Sequence, residues 1–267
     1  MRNGFSVFLA VFIALGLSWC GFVLGSAKQL GTAKQAAVLN SSDTWPLQRT
    51  GDATLGLQVY LANGCAACHT EQVRQDGVVC DVVLTAAGKK PTVVSNLVST
   101  LKLTGLTREE ADADSDKISA AGGTVETHVV ATGADISRGW GIRRSVAADY
   151  LYDYPVQLGS LRAGPDLANI GTRDPDLNWQ LVHLYAPQAL VKGSAMPPFR
   201  FLFEVRKINP GDAPSPDALK FPKDFALPAG CEVMPTPEAK QLAAYLLSLR
   251  QDAPLYEAPF TPLMSKP

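Results

Sequence analysis

The run Gly-Cys-Ala-Ala-Cys-His-Thr at positions 64 to 70 constrains this 267-residue chain more than any other feature. Cys-x-x-Cys-His is the attachment signature of a c-type haem. Its spacing puts both thiols on one short turn, where each can form a thioether with a vinyl group of the macrocycle, and delivers His69 to the iron as proximal ligand. With five Cys and three His in the chain, chance alone gives such a run in roughly one sequence per thousand. The rival readings are half of a zinc site or a thioredoxin-like dithiol. Zinc would need a second ligand pair, and Cys80, Cys231, His128 and His183 include no pair at short spacing. The motif therefore predicts one covalent haem c, held by Cys65 and Cys68.

From Phe5 to Leu24 the chain carries 20 residues without a charge. At ~1.5 Å per helical residue they span roughly 30 Å, the thickness of a bilayer's hydrocarbon core. Residues 1–25 read as a membrane anchor, with a cleaved signal peptide ending near Gly25-Ser26-Ala27 as the rival; an h-region is ordinarily about 7 to 15 residues, shorter than this run. Trp19 is too bulky to precede a lipidated cysteine, so Cys20 reads as an apolar membrane residue. In bacteria, covalent haem attachment occurs outside the cytoplasm. A single-pass inner-membrane protein with a periplasmic haem domain is expected, with Met1 inside. A net charge of -1, from 24 Lys+Arg against 25 Asp+Glu, lacks the excess that holds a nucleic-acid backbone, so no nucleic-acid partner is expected.

The remaining periodicities suit a small helical domain. Leu55, Leu57, Val59, Tyr60 and Leu61 predict a helix over Thr54 to Asn63, ending at Asn63-Gly64. A second helix is predicted to start with Thr236 as cap and Pro237 at its first position, with Leu242, Tyr245, Leu246 and Leu249 on one face. Gly56 and Tyr60 on the first and Tyr245 on the second suit a crossing of the two. A second axial ligand is also needed, and a soft, neutral Met thioether suits ferrous haem. Met196, in a loop stiffened by Pro197 and Pro198, is the first choice; Met234 and His183 are the alternatives. His183 otherwise reads as a packed or propionate-facing histidine and His128 as a surface residue.

Several separated motifs carry a resemblance. The run from Tyr152 to Leu167, Trp179 with His183, Ser194-x-Met196-Pro197-x-Phe199, the Cys65–His69 motif with Arg74, and Asp135-x-x-Arg138-Gly139-Trp140-Gly141 resemble the mono-haem subunit II of cbb-type cytochrome c oxidases, the C family of haem-copper oxidases. The resemblance implies a mainly α fold, a class I cytochrome c-like haem domain over 51–79 and 135–255. It implies that His69 and Met196 ligate the iron and that Pro165 presents its carbonyl to the ring NH of His69. Arg162, Arg173 and Trp179 become haem-propionate neighbours; Arg138, Arg143 and Arg144 read as solvated or subunit-facing surface. The implied function is a non-catalytic electron-transfer subunit that relays electrons to the haem-copper catalytic subunit, with other cytochrome c subunits and the membrane as partners. A freestanding anchored carrier serving another respiratory complex is the alternative, and a haem-based sensor or peroxidase would need an open sixth position.

The chain departs from that pattern over 80–134, a stretch with an acidic run from Glu109 to Asp116 that reads as a small α/β-like insertion. Within it, Val93 to Leu103 is predicted as a helix or strand-helix piece, Thr107 to Ala121 as a helix capped by Thr107, and Thr124 to Val130 as a strand. Cys80 and Cys231 are the thiols left over, so a disulfide between them is one expectation and two unlinked thiols the other. Residues 26–50 read as a polar tether, 206–230 with five prolines as an extended loop, and 256–267 as a tail.

Overall fold

The computed structural model describes residues 3–86, 102–225 and 227–260. The N-terminal part of the chain is helical: α1 (Gly4–Trp19), a wide turn at Cys20–Leu24, and α2 (Gly25–Gly31). Together they form one helix, Gly4–Gln29, with a mean hydropathy of 2.5, long and apolar enough to cross a membrane. Its apolar side chains are exposed, so none of the described residues covers its apolar surface.

Helix α3 (Gly51–Ala62) begins three residues before the periodicity does, because the Thr50 side chain accepts from Ala53 N and caps it. Its inner face is Ala53, Gly56, Leu57 and Tyr60. The last helix, α9 (Pro237–Ser248), is capped by Thr236 and buries Ala239, Leu242, Ala243, Tyr245 and Leu246. The two helices pack at closest range on Gly56, where an added Cβ would stand 1.9 Å from the Gln241 carbonyl oxygen. The Tyr60 and Tyr245 rings tilt against each other at 5.1 Å. Between these helices in sequence lie short α6 (Ile170–Arg173), α7 (Leu177–Tyr185) and α8 (Pro187–Leu190), whose apolar side chains complete the main core with Leu57, Tyr60 and the α9 face. The observed architecture is thus helical at its core, with one apolar N-terminal helix and added strands.

Those strands lie in three places. The first two, β1 (Ala36–Ala37) and β2 (Thr44–Trp45), pair in the segment expected to be a polar tether. Trp45 packs with Val146, Ala253, Leu255 and Ala258, and its indole NH donates to Asp149 at 2.7 Å. So residues 36–46 are stitched to the domain and the expected tail is folded to residue 260; residues 261–267 lie outside the described residues. Both corrections have one cause: a second small apolar cluster joins short segments that show no periodicity.

A second group is an antiparallel sheet in the order β4-β3-β5, made of β3 (Gly77–Ala86), β4 (Lys102–Leu106) and β5 (Thr124–Thr132). Helix α4 (Arg108–Ala120) covers one face, capped reciprocally by Thr107 and Glu110. Strand β3 starts three residues ahead of the boundary at 80, since the ladder already pairs Gly77 with Thr132. Most of the piece expected over Val93 to Leu103 lies outside the described residues. Cys80, Val82 and Leu84, two apart on one face of β3, pack against Ala111 and Ile118 of α4. Cys80 and Cys231 are both free thiols, which overturns the disulfide: Cys80 is enclosed by this sheet core, while Cys231 opens a different strand. Asp76 N donates to the Thr132 carbonyl at 2.8 Å, where the chain leaves for the sheet and returns to short α5 (Ala134–Ser137).

The third group pairs β6 (Phe203–Lys207) with β7 (Cys231–Pro235), so the proline-rich segment is the connection of a two-stranded ribbon. Arg143 corrects the surface reading: it is fully buried, forked onto both oxygens of Asp149 at 2.7 and 2.9 Å, and donates to the carbonyls of Ala253 and Arg144.

Candidate functional site

Helix α3 ends at Asn63, and Gly64 turns the chain with a left-handed φ of 65°. The tight turn Cys65–Ala67 follows, closed by the amides of Cys68 and His69 on the Cys65 carbonyl at 3.1 and 3.0 Å. This puts Cys65 half-buried against the core and leaves Cys68 exposed.

The His69 ring is held from its far side. Its Nδ1 lies 2.8 Å from the carbonyl oxygen of Pro165. A carbonyl only accepts, so Nδ1 carries the proton and Nε2 the free lone pair. Burial pulls the imidazole pKa below its ordinary value, which favours this neutral, ligand-competent form. Gly164 is required beside it, because a Cβ there would come within 2.3 Å of the ring.

Asp166 is the residue that locks the two segments together, and neither the motif nor the periodicity marks it. Fully buried, it accepts from Thr70 Oγ1 at 2.5 Å, Gln72 N at 2.8 Å and Ala168 N at 2.9 Å. Arg162 belongs to the same lock. Its guanidinium reaches both oxygens of Asp135 at 2.7 and 2.8 Å and also the Gln72 carbonyl, so its donors are spent on protein groups. It does not line the cavity described next.

His69 faces a cavity on the inner side of the Cys65–Ala67 turn. Tyr60, Leu167, Ile170, Leu184, Leu242 and Leu246 make apolar walls; Cys65, Arg173, Trp179, His183 and Met196 also line it. Met196 arrives on a loop fixed by Phe199 N on the Leu184 carbonyl at 2.8 Å. Met234 sits instead on β7 opposite Glu204 and does not line the cavity. Trp179 and His183, one helical turn apart on α7, stack at 4.8 Å with their planes 9° apart. The Nδ1 of His183 is buried with no hydrogen-bond partner. A largely apolar cleft with an imidazole and a thioether among its lining groups, an unspent buried nitrogen and a cysteine at its wall fits a flat, hydrophobic, iron-bearing macrocycle with acidic edges.

Glu71, two residues past His69, is buried and accepts from the Tyr245 hydroxyl at 2.9 and 3.0 Å. Burial pushes its carboxyl up to about 8, while the Tyr245 hydrogen bond and the neighbouring Arg49 pull the other way.

Residues 134–215 match the family described as cytochrome c oxidase, mono-heme subunit/FixO. Over that segment the chain is similar to the mono-haem subunits of cbb-type oxidases. The matching segment of this mono-haem-subunit-like chain supplies Pro165, Arg173, Trp179, His183 and Met196 to the cavity, whereas Cys65, His69 and α9 lie outside it. The fold, rather than chain order, brings the Cys65–His69 turn to the matched residues. No curated protein matches the chain.

Proposed function

We propose that the chain is a membrane-anchored, periplasmic mono-haem cytochrome c that relays electrons to the haem-copper catalytic subunit of a cbb-type oxidase in the bacterial inner membrane. The observation that carries this reading is the convergence of Cys65, His69 and Met196 on one apolar cavity, in a chain whose 134–215 segment matches oxidase mono-haem subunits.

Bound haem would supply a one-electron ferric/ferrous couple. Cys65 and Cys68 would hold it by adding their S–H groups across its two vinyl bonds, with nothing leaving. Nε2 of His69, aimed by the Pro165 carbonyl, and the sulfur of Met196 would hold the iron, and the soft thioether would favour its ferrous state. The leucine and isoleucine walls exclude water, which limits reorganisation on electron exchange. Arg173, Trp179 and His183 are the cationic and NH-bearing groups available to the acidic edges. The helix Gly4–Gln29 would fix this domain near its oxidase partner and other cytochrome c subunits.

Mass spectrometry of the chain purified from membranes is expected to show a haem-sized adduct on the peptide containing Cys65 to His69, and affinity purification to bring down a haem-copper subunit. An unmodified peptide refutes the covalent haem; a haem-bearing chain that never co-purifies with such a subunit refutes the oxidase role.

A further inference from the structure

The segment after the apolar helix determines which face of the globular part lies toward the membrane. Gln35 Nε2 donates to the Pro46 carbonyl at 2.7 Å, Ala36–Ala37 pairs with Thr44–Trp45, and Leu39 N donates to the Pro254 carbonyl at 2.9 Å. The stitching therefore starts at Gln35. Six residues along the chain from Gln29, the end of the apolar helix, it is held within about 20 Å even if the link is fully extended.

Around this exit the surface is apolar and aromatic. Leu47 is 73% exposed, Tyr154 92% and Tyr256 84%, and Tyr152 is exposed as well. Tyr152 shares a depression with Ala33, Lys34 and Gln35, and shares a second cleft with Leu47 and Trp45. Tyr256 lies in the turn bridged by Leu255 and Ala258, both packed in the Trp45 cluster. Asp153, between the two tyrosines, is paired with Arg49. Lys34, Arg144 and Arg250 on the basic side and Asp43 and Glu257 on the acidic side are exposed charges around the patch, so both signs are present. A transient, soluble electron carrier would be steered by a one-signed field, which this face lacks. Tyrosines with an exposed ring and a terminal hydroxyl are instead the side chains that settle at a bilayer's headgroup level.

We propose that Leu47, Tyr152, Tyr154 and Tyr256 form a collar that seats the globular part on the lipid headgroup layer, as a second membrane contact beside the helix. One helix alone lets the domain swivel; a helix and a collar together hold the cavity at a set height and orientation. The proposal rests on the reading of Gly4–Gln29 as a membrane anchor and is independent of the haem.

The test uses the full chain alone in phosphatidylcholine vesicles, with the photoreactive p-benzoylphenylalanine placed at position 154 or, as control, at the exposed position 205 on β6. The chain is expected to co-sediment with the vesicles and, on irradiation, to give lipid adducts at 154 at least about fivefold above those at 205. Co-sedimentation with equal adducts at both positions overturns the collar and leaves the anchor standing. Failure to co-sediment overturns the anchor and the collar with it. Crosslinking from 154 in native membranes solely to another protein also overturns the collar and makes this face a subunit interface.

Discussion

The hydroxyl of Tyr245 donates to both carboxyl oxygens of Glu71, at 2.9 and 3.0 Å, with both side chains buried. Because burial raises the Glu71 pKa from about 4.5 to about 8, the folded chain binds a proton there that the unfolded chain has released above pH ~5. Its contribution to stability is full below the unfolded value and is lost as pH rises through the folded one. Chemical denaturation between pH 5 and 9 is expected to show stability falling with pH, and Glu71→Gln, which mimics the neutral carboxyl, should flatten that slope. An unchanged slope in the variant would place the titration elsewhere.

Gly56 leaves no room at the α3–α9 crossing. Gly56→Ala would drive its methyl into the Gln241 carbonyl, so the helices must part or shift, at an expected cost of ~1–3 kcal/mol or more by denaturant unfolding. Thr50→Ala, which removes the α3 cap without touching the crossing, should cost only about 1 kcal/mol.

The two internal methionines separate cleanly. In haem-loaded protein, Met196→Leu should abolish the low-spin, Met-ligated spectrum and lower the reduction potential, while Met234→Leu should leave both unchanged. A Met-ligated spectrum surviving in Met196→Leu would remove Met196 from the iron.

Two arginines named together in the sequence part company in the fold. Arg162→Gln strands the buried carboxylates Asp135 and Asp166 and should destabilise the chain by about 3 kcal/mol, read by thermal unfolding. Arg173→Gln, at the cavity wall, should instead lower the potential by something on the order of tens of millivolts with little loss of stability.

The parts that could be read in advance are those governed by local rules. Thr107 and Thr236 each accept from an amide three residues on, and the inner faces of α3 and α9 follow helical spacing. What escaped were contacts made across long stretches of chain. Trp45 reaches Asp149, Arg143 reaches the Ala253 carbonyl and Thr70 reaches Asp166, and no window of 10 to 20 residues contains both partners. A buried arginine and a solvated one look alike until the carboxylate is in place, which is why Arg143 reads as surface. The free state of Cys80 is similarly set by which face of β3 it occupies rather than by its being one of two spare thiols.

Asp76 and Thr132 stand one hydrogen bond apart, although the whole three-stranded sheet and its helix lie between them in sequence. For the rest of the molecule, that excursion is equivalent to a tight turn: Asp76 could connect to Gly133 directly and the Cys65–His69 turn, the Asp166 lock and the cavity would keep their route. Lengthening or shortening this chain by tens of residues at that doorway would therefore leave the distance between His69 and its neighbours untouched.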